Sequence, residues 1–144
     1  MVANSKRARC FELHAKDGAL RELVDFVQFQ PSLESRAHGS DLTGAAGKGH
    51  GRTGHAGTQF EPRTEAHAKQ RASFASELAE YLNAAVADQR CTALTLIASS
   101  AMLGKLKPCL NSPAAKALQA CVARDLTRYQ GADLQERVSH AIER

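Results

Sequence analysis

The chain has 144 residues, of which 43% are hydrophobic and 24% charged, and it carries a formal net charge of +4. These values are typical of one globular domain with a core of its own, and no apolar run reaches the length of a membrane span. The mild positive charge permits an acidic partner such as RNA but does not require one.

The first part of the chain predicts a β-hairpin. Arg7–His14 alternates weakly between apolar and polar residues and ends at the turn-forming segment Lys16–Gly18. The following run, Leu20–Phe29, is rich in Val and Phe, and two strand-like runs around Asp-Gly are typical of a hairpin. Pro31 ends the second strand, and the residues from there to Thr64 show no useful periodicity.

The second half of the chain predicts helices alternating with strands. Apolar residues at helical spacing indicate a long helix over Ala66–Gln89, with Thr64 as its N-cap. The elements predicted after it are a buried strand at Thr92–Ala98, a helix at Ala101–Leu110 capped by Ser99 and Ser100, a helix capped by Ser112 with Pro113 in its first position, a strand at Cys121–Thr127 and a helix at Ala132–Glu143. This order predicts a single α/β domain over residues 1–144, with a mixed sheet flanked by helices and the hairpin at one edge.

Residues 38–64 form a long glycine-rich loop before the long helix. His38–Gly57 holds seven of the ten glycines and three of the six histidines, and Gly44–Phe60 adds Lys48 and Arg52 but no carboxylate. Ordering such a loop costs much backbone entropy, and connections of this length in compact domains are usually functional or disordered. We therefore expect the function of the chain to depend on this loop.

The context of the loop disfavours a nucleotide-binding motif and a metal site. The string Gly49–Gly54 matches G-x-G-x-x-G, but a dinucleotide loop follows a strand directly and opens a helix, and neither condition is met. Gly47-Lys48 lacks the Ser or Thr that completes a phosphate-binding P-loop. No cofactor is therefore expected. No metal is expected either, because the histidines of this region are better explained as solvated side chains than as metal ligands; they are His38, His50, His55 and His67.

Glu61, Arg63 and His67 form a closer group at the start of the long helix. Arg63 and His67 are four residues apart, so they are neighbours if both lie on the helix. A structural interpretation pairs Glu61 or Glu65 with Arg63 to anchor the loop. The functional alternative is an anion site, because helix N-termini and arginine side chains both favour phosphate.

Six segments along the chain can be considered together. They are Ala8–Glu12, Gly18–Leu23, the Glu-Pro-Arg-Thr block within Phe60–His67, Phe74–Leu82, Leu94–Leu106 and Val122–Thr127. This set resembles the bacterial host attachment protein family, whose members are described as required for attachment to host cells. The resemblance implies an RNase H-like α/β fold, related to the middle domain of archaeo-eukaryotic class-1 release factors.

The same resemblance implies a longer first strand than Met1–Ala3 provides. We therefore expect a short or frayed first strand. The sheet edge beside it would be left open, with backbone groups ready to pair. Pairing of two copies of the chain through that edge would follow.

In release factors, a mobile glycine-rich loop before a long helix carries Gly-Gly-Gln, which helps water attack peptidyl-tRNA on the ribosome. His50–His55 occupies the equivalent place and is similar in its basic, glycine-rich character. Thr53 stands where the first glycine would be and His55 where the glutamine would be, so the catalytic motif is incomplete. His55 is the candidate to orient a water as an acid or base.

From these patterns we predict a cytoplasmic protein that binds structured RNA, the ribosome or a tRNA, through the loop. The residues predicted to contact RNA or another anion are Lys48, His50, Arg52, His55, Arg63 and His67. Four widely spaced cysteines and the absence of an export signal predict thiols that are reduced and mostly buried. The lack of an apolar run as long as a membrane span predicts no membrane association. Two alternatives stay open: an attachment-related or regulatory protein that acts through protein partners, and a hydrolase that uses the loop histidine.

Overall fold

The computed structural model describes residues 1–14, 18–28 and 61–143, with the side chains of the last range described from residue 64 onward. The strands and helices in these ranges are β1 (Val2–Ala3), β2 (Arg7–Leu13), β3 (Leu20–Val27), α1 (Glu61–Ala87), β4 (Leu94–Ala98), α2 (Ser100–Leu106), α3 (Ser112–Ala117), β5 (Leu118–Ala123) and α4 (Gly131–Ile142). A short 3-10 turn, Lys107–Cys109, follows α2. Residues 38–60 of the predicted loop and residues 16–17 of the predicted hairpin turn lie outside the described residues, whereas residues 61–64, also predicted as loop, lie in α1.

The described strands form one mixed sheet in the order β3-β2-β1-β4-β5. β2 pairs antiparallel with both β1 and β3, whereas β4 pairs parallel with both β1 and β5. The predicted α/β class, the mixed sheet flanked by helices and the hairpin at one edge are therefore confirmed. The first strand is short, as predicted, but the open edge predicted beside it is wrong, because β4 returns to the centre of the sheet and pairs Ile97 with Val2.

Helices cover both faces of the sheet through two apolar clusters. On one face, α1, α2 and α3 pack against the sheet, and the largest fully buried side chains of this cluster are Leu78, Leu96, Met102 and Leu106. On the other face, α4 packs through Leu134 and Val138 onto Val2 and Ile97. β4 is a nearly continuous apolar run because both of its faces are covered.

Helix α1 is longer than the sheet that it covers. It has 27 residues, roughly 40 Å at the usual rise per residue, whereas β3 has only 8. The buried residues of α1 begin at Phe74, and none from Thr64 to Ser73 is buried. A short connection joins Ala87 to Leu94, so α1 ends beside the amino end of β4 and its first turns extend past the opposite edge of the sheet.

Two predicted helix caps are wrong. α1 begins at Glu61 rather than after Thr64, because a proline is compatible with the first turn of a helix and the helix continues upstream through it. Asn111 rather than Ser112 caps α3, and its side-chain oxygen accepts a hydrogen bond from the backbone N–H of Ala114 at 2.9 Å. The predicted cap of α2 is confirmed, since the side-chain oxygen of Ser99 accepts a hydrogen bond from the backbone N–H of Met102, three residues later, at 3.4 Å.

The strand predicted at Cys121–Thr127 lies earlier in the chain, at Leu118–Ala123. Parallel pairing with β4 sets its position and places Leu96 opposite Cys121. The last residues of the predicted strand form a turn instead, in which the backbone N–H of Thr127 donates to Asp125 Oδ1 at 3.0 Å. The Asp125 side chain therefore accepts a backbone N–H that a neighbouring strand would otherwise pair with, which is common for Asp in turns.

Candidate functional site

The carboxyl edge of the sheet is where a ligand site is expected in a fold of this kind. β1, β4 and β5 run in one direction, and β3 shares it because two antiparallel steps separate β3 from β1. The residues that follow these strands at that edge are Asn4, Ser99, Arg124 and Gln28. In open α/β sheets, ligands bind beyond the carboxyl ends of the strands where the strand order reverses, which here lies between β1 and β4.

A hydrogen-bonded junction at this edge joins the turn after β1 to the segment after β5. The Asn4 Nδ2 group donates to Asp125 Oδ2 at 3.0 Å and to Thr127 Oγ1 at 2.8 Å. Asn4 Oδ1 accepts from the backbone N–H groups of Lys6 and Arg7, both at 2.9 Å. Asp125 Oδ1 accepts the hydroxyl of Thr127 at 2.6 Å. The junction uses both donors of Asn4 and both oxygens of Asp125, so it is a structural connection and not an open ligand site.

The hydrogen bonds of this junction favour the charged form of Asp125. Partial burial raises its pKa, but hydrogen bonds from Thr127 and Asn4 and the nearby charge of Arg128 outweigh burial and hold the pKa below its usual value. The carboxylate is therefore charged at neutral pH. Because its folded pKa is lowered, its contribution to stability is present above the unfolded pKa and is lost as the pH falls through the folded pKa.

The face of α1 that packs onto the sheet continues beyond the core as a basic stripe. The buried residues of this face begin with Phe74 and Leu78. Toward the start of the helix, the same face continues at spacings of three or four residues through Arg71, His67 and Arg63. Residues at that spacing lie on one side of a helix, so this side changes from apolar to basic where the helix leaves the core. We call Arg63, His67 and Arg71 the basic stripe.

The described side chains of the basic stripe have no partner. His67 and Arg71 are exposed, and neither makes a hydrogen bond or ion pair with the part of the chain that the structure describes. Lys69 is also exposed and unpaired there, but it lies about 200° around the helix from His67, on the opposite side. Free arginine and histidine side chains at helical spacing can hold phosphate oxygens, which a guanidinium binds in a fixed geometry.

The structure describes the predicted site only in part. Arg63 lies in the first turn of α1, with its side chain outside the described residues, and His67 follows on the same helix. The predicted spacing of these two along one helix is therefore confirmed for the backbone. The predicted ion pair between Arg63 and a glutamate lies outside the described side chains, as do all four of the loop residues Lys48, His50, Arg52 and His55.

Sequence reasoning missed Arg71 and the contact between Asn4 and Asp125. Arg71 lies four residues after His67, so an extension of the Arg63 and His67 spacing would have found it. Asn4 and Asp125 are 121 positions apart, and nothing local to either residue indicates that they meet.

The described ranges hold neither a metal-binding cluster nor a membrane-spanning helix. They contain no group of three His, Cys, Asp or Glu side chains that could hold a metal ion. Within the same ranges, no helix combines the length and the apolar character needed to cross a bilayer. All four cysteines are free, but the prediction that most of them are buried is wrong, because only Cys10 is buried and both Cys109 and Cys121 are exposed. Burial raises the pKa of the Cys10 thiol to about 11.

A protein-family model matches residues 1–138, from β1 into α4, and its description is "Protein required for attachment to host cells". The chain belongs to the host attachment protein family. The family resemblance of the sequence is thereby confirmed, and the match includes both the basic stripe and the Asn4–Asp125 junction of this host attachment protein. No curated protein and no solved structure matches the chain.

Proposed function

We propose that this host attachment protein binds structured RNA, on the ribosome or on a tRNA, through the basic stripe of α1. The observation that carries the proposal is that His67 and Arg71, on the side of α1 that continues from the core face, are exposed and make no pair within the described ranges. A helix holds these side chains at fixed spacing, so phosphate contacts cost little additional ordering. Binding in the cytoplasm would make any effect on attachment indirect.

The predicted loop residues belong to the same proposed interface. The backbone N–H of Gln28 donates to the carbonyl of Lys6 at 2.8 Å, at the carboxyl edge of the sheet. α1 begins at Glu61 beyond that edge, so the residues that flank 29–60 lie on the same side of the sheet. This arrangement supports an RNA contact that also includes the loop side chains Lys48, His50, Arg52 and His55.

The relation to release factors is part of this proposal. An RNase H-like fold of the release-factor type is supported by the mixed sheet with helices on both faces. It is further supported by the position of α1, which is a long helix that directly follows the glycine-rich segment. The likeness concerns RNA binding and not termination, because the loop sequence lacks Gly-Gly-Gln.

Two single-charge variants of α1 test the proposal against a matched control. Arg71→Gln removes a cation from the basic stripe, whereas Lys69→Gln removes one from the opposite side of the same helix. Co-sedimentation with ribosomes and filter binding of tRNA, each at several salt concentrations, measure the effect. For Arg71→Gln we expect weaker binding and a logarithmic salt slope that falls by about 0.9, the contribution of one phosphate contact. Lys69→Gln should bind like the wild type.

Two outcomes of this experiment would contradict the proposal. Equal losses in the two variants would show that net charge and not the basic stripe determines binding. Absence of binding by the wild type at low salt would refute RNA association altogether. Deletion of Gly44–Gly57 then separates the contribution of the loop from that of the helix, since the deletion leaves the basic stripe in place.

Attachment through a protein partner is a second candidate function, favoured by exposed apolar side chains on the hairpin. Leu13, Leu23 and Val27 are 48%, 50% and 72% exposed. Large apolar side chains that remain exposed can mark protein interfaces. Under this alternative, Leu23→Ser and Val27→Ser reduce attachment of the cells and leave ribosome sedimentation unchanged. The opposite pattern, with an effect of Arg71→Gln alone, supports the RNA proposal.

Pairing of two copies through a sheet edge stays a prediction, and β5 suits it better than β3. β3 carries the charged residues Arg21, Glu22 and Asp25, which protect an edge strand from pairing. β5 has no charged residue over Leu118–Ala123. Light scattering at several protein concentrations tests the prediction. A dimer that Cys121→Lys dissociates would support it, and a monomer at every concentration would refute it.

A further inference from the structure

A cleft lies on the face of the sheet that α4 covers, between the segment after β5 and the helix itself. Its volume is about 300 Å³, which is at the lower end of the range for small-molecule sites. The residues that line it are Arg124, Leu126, Asp133, Glu136, Arg137 and His140. None of them belongs to the basic stripe of α1, which packs on the other face of the sheet.

Arg137 is held in place before any ligand binds. Its Nε donates to Asp133 Oδ1 at 2.8 Å, and its guanidinium lies 4.0 Å from the centre of the Tyr129 ring. Tyr129 is fixed in turn, because its carbonyl oxygen accepts from Arg9 Nη1 at 2.9 Å. Within the described residues, the two terminal nitrogens of Arg137 have no hydrogen-bond partner. They are therefore available as donors to a ligand in the cleft.

Arg124 supplies a second free guanidinium. It follows β5 directly, and its backbone N–H donates to the carbonyl of Val122 at 2.9 Å, which fixes the start of its side chain. Its guanidinium forms no hydrogen bond or ion pair with the described part of the chain. Two arginines that line one cleft with unused donors are suited to an anion with several oxygens, such as a phosphate group.

The cleft also contains two carboxylates, so its formal charge is balanced. Asp133 is neutralised by its pair with Arg137. Glu136 has no hydrogen-bond or ion-pair partner in the described ranges, so it offers a free acceptor. A ligand that uses both the free guanidinium donors and the free carboxylate acceptor carries a phosphate and an amino group. Carboxylate side chains accept hydrogen bonds from the exocyclic amine of cytosine in this way.

We propose that this cleft binds a nucleotide whose base carries an exocyclic amine, with Arg124 and Arg137 on the phosphate and Glu136 on the amine. Leu126, which is 6% exposed, supplies an apolar contact for the sugar or base. His140 lies at the same cleft, and its ring N–H is a further donor for the phosphate. The nucleotide is either free or part of an RNA chain, since both present the same groups. The site does not depend on RNA binding by the basic stripe.

Titration of the full chain with cytidine monophosphate, uridine monophosphate and inorganic phosphate, followed by the backbone amide spectrum, tests the proposal. Cytidine and uridine monophosphate differ in the exocyclic amine and share the phosphate. We expect the cytidine nucleotide to bind more tightly, with shifts confined to residues 124–140. Arg124→Gln should weaken its binding about tenfold, the usual effect of losing a charge-assisted hydrogen bond to phosphate. Glu136→Gln should remove the preference for cytidine over uridine.

Arg21→Gln is the matched control, because Arg21 pairs with Glu12 on the hairpin and lies outside the cleft. It should bind the nucleotides like the wild type, and the amide spectrum of each variant shows whether it is folded. A short oligocytidylate distinguishes a free nucleotide from a nucleotide within RNA as the natural ligand. If the oligocytidylate binds more tightly than cytidine monophosphate, the ligand is a nucleotide within RNA. Absence of shifts at 124–140, or unchanged affinity in folded Arg124→Gln, would overturn the proposal.

Discussion

Glu22→Gln should destabilise the protein more than the same change at Glu12, because the two carboxylates pair with arginines of different burial. The side chain of Arg9 is only 6% exposed, and its Nε and Nη2 donate to the two oxygens of Glu22 at 3.1 and 2.7 Å. The pair of Arg21 with Glu12 bridges the same two strands, but its side chains are 68% and 44% exposed. The second pair is therefore a matched reference for the first.

The expected cost follows from what the substitution leaves behind. Without the Glu22 carboxylate, the buried Arg9 guanidinium keeps one strong acceptor, the carbonyl oxygen of Tyr129 at 2.9 Å. Loss of one partner of a fully buried ion pair costs about 3–5 kcal/mol, whereas an exposed pair is worth about 0–1 kcal/mol. Glu22 is 40% exposed, so water partly replaces the lost acceptor and we expect about 1–2 kcal/mol. Glu12→Gln should cost less than about 0.5 kcal/mol.

Urea unfolding, followed by far-ultraviolet circular dichroism, measures the free energy of unfolding of both variants. The hydrogen bonds from Arg9, opposed by partial burial, hold the pKa of Glu22 below its usual value. The contribution of Glu22 is therefore present above its unfolded pKa of about 4.3 and is lost as the pH falls through the lower folded pKa. The difference between wild type and Glu22→Gln should vanish in acid. Equal losses at Glu12 and Glu22, or a difference that persists in acid, would refute this reasoning.

Three further predictions concern single positions. Gly104→Ala should stabilise the protein by about 0.5–1 kcal/mol, because Gly104 lies inside α2 with open space where a Cβ would be. Gly131→Ala should instead destabilise the protein by about 1 kcal/mol, because Gly131 has a φ of +53°, which residues other than glycine rarely adopt. Urea unfolding of the two variants checks both signs. Cys10 should resist iodoacetamide in the native protein, since burial raises its pKa to about 11, whereas the exposed Cys121 should react readily. Mass spectrometry measures the two reaction rates, and equal rates would contradict this prediction. Asp125→Asn should cost about 1–2 kcal/mol at neutral pH, through weakened charge-assisted hydrogen bonds, and less in acid, because the folded pKa of Asp125 is lowered. Thermal unfolding at two pH values measures this, and a cost that is independent of pH would speak against a role for the charge.

Local patterns were sufficient to predict the elements that local interactions determine. The alternation of Arg7–His14 and the Val-rich run after Gly18 predicted the hairpin, since each strand repeats every second residue. The apolar residues at helical spacing from Phe74 onward predicted the core face of α1, because that spacing places them on one side of a helix. A serine before an apolar run predicted the cap of α2, because a side-chain oxygen that accepts from the first turn is a local contact.

Elements that depend on distant partners were predicted less well. β1 has only two residues, too few for any periodicity, and its central place follows from pairing with both β2 and β4. β5 was predicted several residues too late, because its bounds are set by the register with β4 rather than by its own composition. Both errors have one cause, which is that a sheet is assembled from hydrogen bonds between segments far apart in the chain.

Residue order and periodicity were enough to identify the family, the α/β class and the spacing of Arg63 and His67 on one helix. The packing of distant segments places the first turns of α1 beyond the core, where Arg71 has no partner among the described residues. It also brought Asn4 to Asp125, and Arg124 to the cleft beside α4. Sequence patterns record which side of an element is apolar, whereas the length of sheet beneath a helix and the partners of a charge are set by packing between distant segments.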